Sequence, residues 1–180
     1  MSKLTVVYLK DTGHVLAALT RANPPAAAEP VSALVGTGLP VSFMGGLSLD
    51  VSFPAQDLAA VTVDDRPGVV IAPQDYQVVQ DPRSQAPPQV NDLGSPHQVT
   101  FAITAAAGAT VTVANARLPA RVVLQKVPLA TSVPTVVSQV DVGPGSTVVA
   151  GPSGFTAGDT WNMYVLVQGL APTAGKVTVL

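Results

Sequence analysis

The sequence predicts an all-β protein: an antiparallel sandwich in the C-terminal half, preceded by a smaller β-rich unit. Three observations carry this. Apolar and polar residues alternate with period two in short segments along the chain. Turn signals built from Gly, Pro and Asp interrupt those segments at close intervals. Helical spacing is not sustained anywhere. Period-two alternation puts one face of a strand on a core and the other toward water.

The elements follow in order. Leu4–Leu9 and Val15–Arg21 flank Asp11-Thr12-Gly13 and form a hairpin. Ala22–Pro30 reads as an extended connector, and the Ala-rich piece 24–35 supports at most a short turn of helix because Pro30 interrupts it. Leu47, Leu49, Val51 and Phe53 then alternate with Ser48, Asp50 and Ser52. Gly36-Thr37-Gly38, Gly45-Gly46 and Arg66-Pro67-Gly68 supply turns. Residues 81–97 hold four prolines and no periodic pattern. Proline removes a ladder donor, so this stretch is read as a linker between an N-terminal unit, 1–80, and a C-terminal unit, 98–180. A single sandwich bridged by this loop is the alternative. The C-terminal half holds seven candidate strands: 98–104, 109–115, 120–127, 134–142, 146–150, 160–168 and 175–180. Their number and spacing suit an Ig-like or jelly-roll-like sandwich. The Cys–Trp–Cys signature of immunoglobulin domains is missing, since the chain has no Cys.

Charge is scarce. Asp, Glu, Lys and Arg make up 11% of the 180 residues, against roughly 25% in an ordinary soluble domain. Hydrophobic residues make up 47%. A folded chain of this mass exposes roughly 8,000 Å². Few charges are spread over that surface, which points to an extended neutral area of the kind used as an interface. Net charge is −2, and Lys and Arg are scattered singly. That argues against nucleic acid, which needs clustered cations. No stretch reaches the roughly 20 apolar residues needed to span a bilayer. The opening MSKLTVVYLKDTGH has too short an apolar run for a signal peptide, so the expected location is the cytoplasm at synthesis, with later release in a particle. The Ala, Val, Pro and Gly bias points to a GC-rich bacterial genome.

Candidate chemistry is sparse. Asp11-Thr12-Gly13 matches the short motif of aspartic proteases, whose mechanism needs two carboxylates sharing a proton. Lys10 before it and His14 after it break the usual flanks, and Asp-Thr-Gly is also an ordinary hairpin turn. His14 and His97 are read as exposed loop residues without ligand spacing. Asp64-Asp65, with Asp57 nearby, lack the loop spacing of a calcium site and read as a solvated turn. The Gly-rich run 143–154 has neither a Lys-Ser/Thr sequence nor a following helix, which excludes a phosphate-binding loop. Its Gly151-Pro152-Ser153-Gly154 has the wrong spacing for a nucleophile elbow. No catalytic residues, cofactor or metal are therefore expected.

Two sets of residues remain as candidate ligand or interface sites. Phe155, Trp161 and Tyr164 cluster in one segment, which a carbohydrate-binding module would use as a platform; a lone Trp in a Val-rich strand is more often a core anchor. Lys176, Val177, Thr178, Val179 and Leu180 form a terminal strand with a single charge to guard its edge. The expected function is that of a non-catalytic structural subunit of a homo- or hetero-oligomeric protein assembly. The alternatives are a carbohydrate- or ligand-binding sandwich and, third, a dimeric aspartic protease. In overall composition the chain resembles components of phage tails, baseplates and contractile-injection particles; the resemblance covers no defined stretch.

Overall fold

The computed structural model describes residues 3–21, 29–44, 48–80, 86–94, 99–113, 118–127, 135–145, 147–149 and 154–180. The chain is all-β, with antiparallel sheets and two short helices among the described residues. It divides into two units: Met1–Val41 with Ser52–Gly94, and Ser42–Val51 with Ser95–Leu180.

In the first unit, β1 (Lys3–Leu9) and β2 (Val15–Arg21) form the expected hairpin. Its turn is closed by the Leu9 N–H donating to the His14 carbonyl (3.0 Å) and the Gly13 N–H donating to that of Leu9 (2.8 Å). Gly13 takes φ +76°, which only glycine adopts readily. Helix α1 (Val31–Val35) is the short helix that Pro30 permits, and it ends at Gly36. Strand β3 (Gly38–Met44) then pairs with β4 (Ser48–Pro54), and Ser42–Val51 of this pair are assigned to the second unit. Next, β5 (Leu58–Asp64) pairs antiparallel with the free side of β1, giving the order β2-β1-β5. The Arg66-Pro67-Gly68 turn opens helix α2 (Pro67–Ile71), where proline occupies a position that needs no donor. A further antiparallel pair joins β6 (Tyr76–Val79) to β7 (Gln89–Asp92), forming the β6–β7 hairpin. Residues 89–92, inside the stretch read as linker, are thus a strand. Leu4 and Val6 of β1, Val15 of β2, Val69 of α2 and Val78 of β6 form the core, with Val61, Val63 and Val90 packed on it. The β2-β1-β5 sheet and the β6–β7 hairpin share this core, and an isolated antiparallel bridge between His14 and Gln77 joins them.

The second unit contains the seven strands expected of it. They are β8 (Val99–Thr104), β9 (Gly108–Val113), β10 (Leu118–Val127), β11 (Thr135–Val142), β12 (Thr147–Val149), β13 (Thr160–Val167) and β14 (Thr173–Thr178). They form a sheet of order β11-β10-β13-β14 and a sheet of order β12-β9-β8. One core cluster unites Ile103, Ala109, Val111 and Val113 of the smaller sheet with Val122, Leu124, Trp161, Met163, Val165 and Val167 of the larger.

Alternation fails at the centre of the larger sheet. Every residue from Ala120 to Gln125 and from Trp161 to Val167 is buried. The near-continuous apolar runs in these two strands, Val122–Leu124 and Met163–Val167, are the sequence mark of a strand covered on both faces. The chain end also departs from a simple edge strand. The Leu180 N–H donates to the Ile103 carbonyl (3.1 Å), and the Ala105 N–H donates to the Leu180 carbonyl (2.9 Å). This is a parallel pairing that links the end of β14 to β8.

Candidate functional site

The aromatic trio does not form one surface. Trp161 is 7% exposed and belongs to the core cluster. Phe155 meets it edge to face at 5.0 Å between ring centroids, and also lies over Gly108. Tyr164 lies three residues along β13 from Trp161, so it points from the opposite face, where it is buried. That face also buries Arg121, Gln125 and Asn162. Among the described residues, Asn162 Oδ1 and the indole Nε1 of Trp161 are buried without a hydrogen-bond partner.

The terminal strand divides in two. Lys176 and Thr178 are exposed, Val177 packs on the core and Val179 is buried. The Leu180 side chain is 80% exposed while its backbone is bonded to β8. The free edge of β14 is therefore confined to the strand before Leu180. Gly175 on that strand has the Phe101 ring pressed against it; an added Cβ would stand 2.6 Å from that ring's Cζ.

Asp11-Thr12-Gly13 is a structural turn. The Asp11 carboxylate accepts the Thr12 N–H (3.0 Å), and the Gly13 carbonyl accepts the Val78 N–H (2.8 Å). His14 corrects the expectation of an exposed loop residue: it is 1% exposed, and its Nδ1 lies 3.0 Å from Thr12 Oγ1. Alternation through Gly13-His14 carries no mark of this, because the ring is covered by tertiary packing that local pattern does not encode. His97 and part of the Gly-rich run, at 146 and 150–153, lie outside the described residues. Among the described residues no group of three His, Asp or Glu side chains could hold a metal ion. Among the described residues no helix is long and apolar enough to cross a membrane.

Sequence reasoning missed the groove beside β5. It measures about 490 Å³ and is lined along one bank by Thr62–Arg66 and along the other by Pro87–Asn91. Its charges are neutralised in pairs. Lys3 Nζ meets Asp64 Oδ1 at 2.6 Å, and Arg66 Nη2 meets Asp92 Oδ2 at 2.7 Å. The hydrogen bond from Lys3, followed by its charge, holds the Asp64 carboxyl below the usual carboxylate range. Arg66 also donates to the Val90 carbonyl (2.8 Å) and lies 5.0 Å from the centre of the Tyr76 ring. The sequence signal for this place is the lack of a cation inside β5, which leaves an unguarded edge. No protein-family model matches the chain, and no curated protein matches it in sequence.

Proposed function

We propose that this chain is a non-catalytic structural subunit that works by associating with other protein chains. The observation that carries the reading is the arrangement of its strands: short, separate sheets whose edge strands are poor in charge. Edge strands β5 and β12 contain no Lys or Arg, and β14 contains one Lys. Val148 on β12 is 61% exposed. Strand edges are templates for pairing, and soluble monomers normally block them with charge, proline or a cover. The proposal takes the C-terminal unit as a β-sandwich scaffold, and its setting as a bacterial cytoplasmic or phage-tail-like particle.

The placements above support this over the other readings. Burial of Trp161 and Tyr164 on opposite faces argues against a shared aromatic platform for a sugar at these residues. Asp11 is engaged within its own turn. Asp11→Asn abolishes activity in a protease; in a structural subunit it leaves assembly unaltered. The experiment is size-exclusion chromatography with light scattering over a range of concentrations. The reading expects a mass above the 18.2 kDa of one chain, or a protein partner that copurifies from the native host. A constant single-chain mass without such a partner overturns it.

A further inference from the structure

Resting on that reading, we infer that Ser42–Val51 is an exchangeable arm, which docks on the outer face of β10 and β13 and is passed between copies of the chain. The face is defined by register. Arg121 stands opposite Leu166, Val123 opposite Tyr164 and Gln125 opposite Asn162. These residues point away from the core face, whose Val122, Leu124, Met163, Val165 and Val167 pack with the smaller sheet. In a two-layer sandwich such an outer face is left to water. Here all six residues are buried. The seven strands of Ser95–Leu180 are committed to the two sheets, and connections between strands lie at the ends of a sandwich, not over its middle. The other piece of the second unit is Ser42–Val51. It comes from β3 and β4, which pair only with each other among the described residues. A two-stranded ribbon is marginal in water alone and needs a surface to pack on.

The chemistry of the face marks its cover as removable. The core face of the same two strands is lined by apolar side chains. The outer face instead buries the guanidinium of Arg121, the phenol of Tyr164 and the amides of Gln125 and Asn162. That composition belongs to contacts that form and separate, rather than to permanent core. Among the described residues no donor reaches the buried Asn162 Oδ1. The cover costs this acceptor its water without replacing it, and departure of the cover restores it. The segment suits the face in composition. It includes Phe43, Met44, Leu47 and Leu49, and its one charged residue, Asp50, is opposite in sign to Arg121. A second copy offers the same segment to the same face, so exchange keeps the contacts and needs no new surface. Each strand of the pair has seven residues, so the arm reaches roughly 23 Å. At its base the Ala55 N–H donates to the Thr37 carbonyl (3.0 Å).

The chain has no Cys, so one introduced thiol reports whether the face is covered. In the full-length protein Asn162→Cys should react slowly with a maleimide. Replacing Ser42–Val51 by a short Gly-Ser linker in the same variant should speed the reaction about tenfold or more. Exchange is tested by mixing two chains that lack this Cys. One carries the linker in place of Ser42–Val51, so it can accept an arm but not give one. The other is Asn162→Arg, which blocks its own face and frees its arm. Light scattering should find each alone as a single chain and the mixture as a one-to-one pair. Circular dichroism of Asn162→Arg should stay native, because the altered face is the one turned away from the core. Fast labelling with Ser42–Val51 present, or slow labelling without it, overturns the docking. Absence of the mixed pair overturns the exchange. Should the linker variant not fold, Asn162→Arg decides alone: loss of the oligomers formed by the unaltered protein supports the arm. Oligomers undiminished in Asn162→Arg overturn the arm while leaving the assembly reading in place. A protein that stays a single chain at every concentration overturns the exchange, and the assembly reading then rests on a copurifying partner.

Discussion

β13 and β5 are similar strands in different positions. Each is seven or eight residues long, rich in Val and Thr or Ala, and nearly free of charge. β13 lies inside its sheet between β10 and β14, and is buried without interruption from Trp161 to Val167. β5 ends its sheet, exposes Thr62 and Asp64, and borders an open groove. The difference teaches that a neutral strand has two uses in this chain. Surrounded, it supplies core; at an edge, under the proposed function, it supplies a surface for another chain to extend. Scarcity of charge therefore has one meaning in the second unit's centre and another at the first unit's rim.

Mutations can break or sharpen that contrast. The largest effect is expected from placing a charge within β13. Met163→Asp buries an unpaired carboxylate in the core cluster and should cost more than about 4 kcal/mol, enough to abolish cooperative unfolding of the second unit by circular dichroism. Leu124→Ala, on the neighbouring strand and fully buried, should cost about 3 kcal/mol in chemical denaturation. Gly175→Ala drives a methyl against Phe101 and should cost about 1–2 kcal/mol. His14→Ala removes a buried ring and its contact to Thr12, and should cost about 2 kcal/mol from the first unit.

The smallest effect belongs to the rim of β5. Lys3→Met leaves Asp64 without its hydrogen-bonding cation, so the carboxyl titration followed by NMR should move up toward the ordinary carboxylate value. The sign follows from linkage. A carboxyl held low in the folded state adds stability above its unfolded pKa and loses that contribution as pH falls through the folded value. Asp64 is solvent-exposed, so this contribution is screened, and the melting temperature at neutral pH should not change measurably. A rim that destabilised the fold as strongly as Leu124→Ala would erase the distinction between core strand and edge strand.

Much of this architecture was legible in the residues. All seven strands of the second unit fall near the expected positions, because period two, apolar runs and turn residues are local properties of the chain. The β1–β2 hairpin was equally plain from Asp11-Thr12-Gly13. What local pattern does not carry is who covers whom. Burial of Asn162 and Arg121, the covered ring of His14, and the bond from Leu180 to β8 all depend on elements distant in sequence. The β5 groove lay hidden for the same reason, since its two banks are joined by tertiary packing through Val61, Val63 and Val90 and by the contacts of Arg66 with Val90 and Asp92. The 81–97 stretch shows a further limit: its prolines mark a connection, yet Gln89–Asp92 within it pairs with Tyr76–Val79.

Amide hydrogen exchange, followed at rising protein concentration, tests the central claim most directly. The account predicts that outward amides of the edge strands exchange rapidly in dilute solution and become protected as concentration rises or as a copurifying partner is added, while the β13 amides are protected throughout. Edge-strand exchange that is the same at every concentration and with every copurifying protein would contradict it.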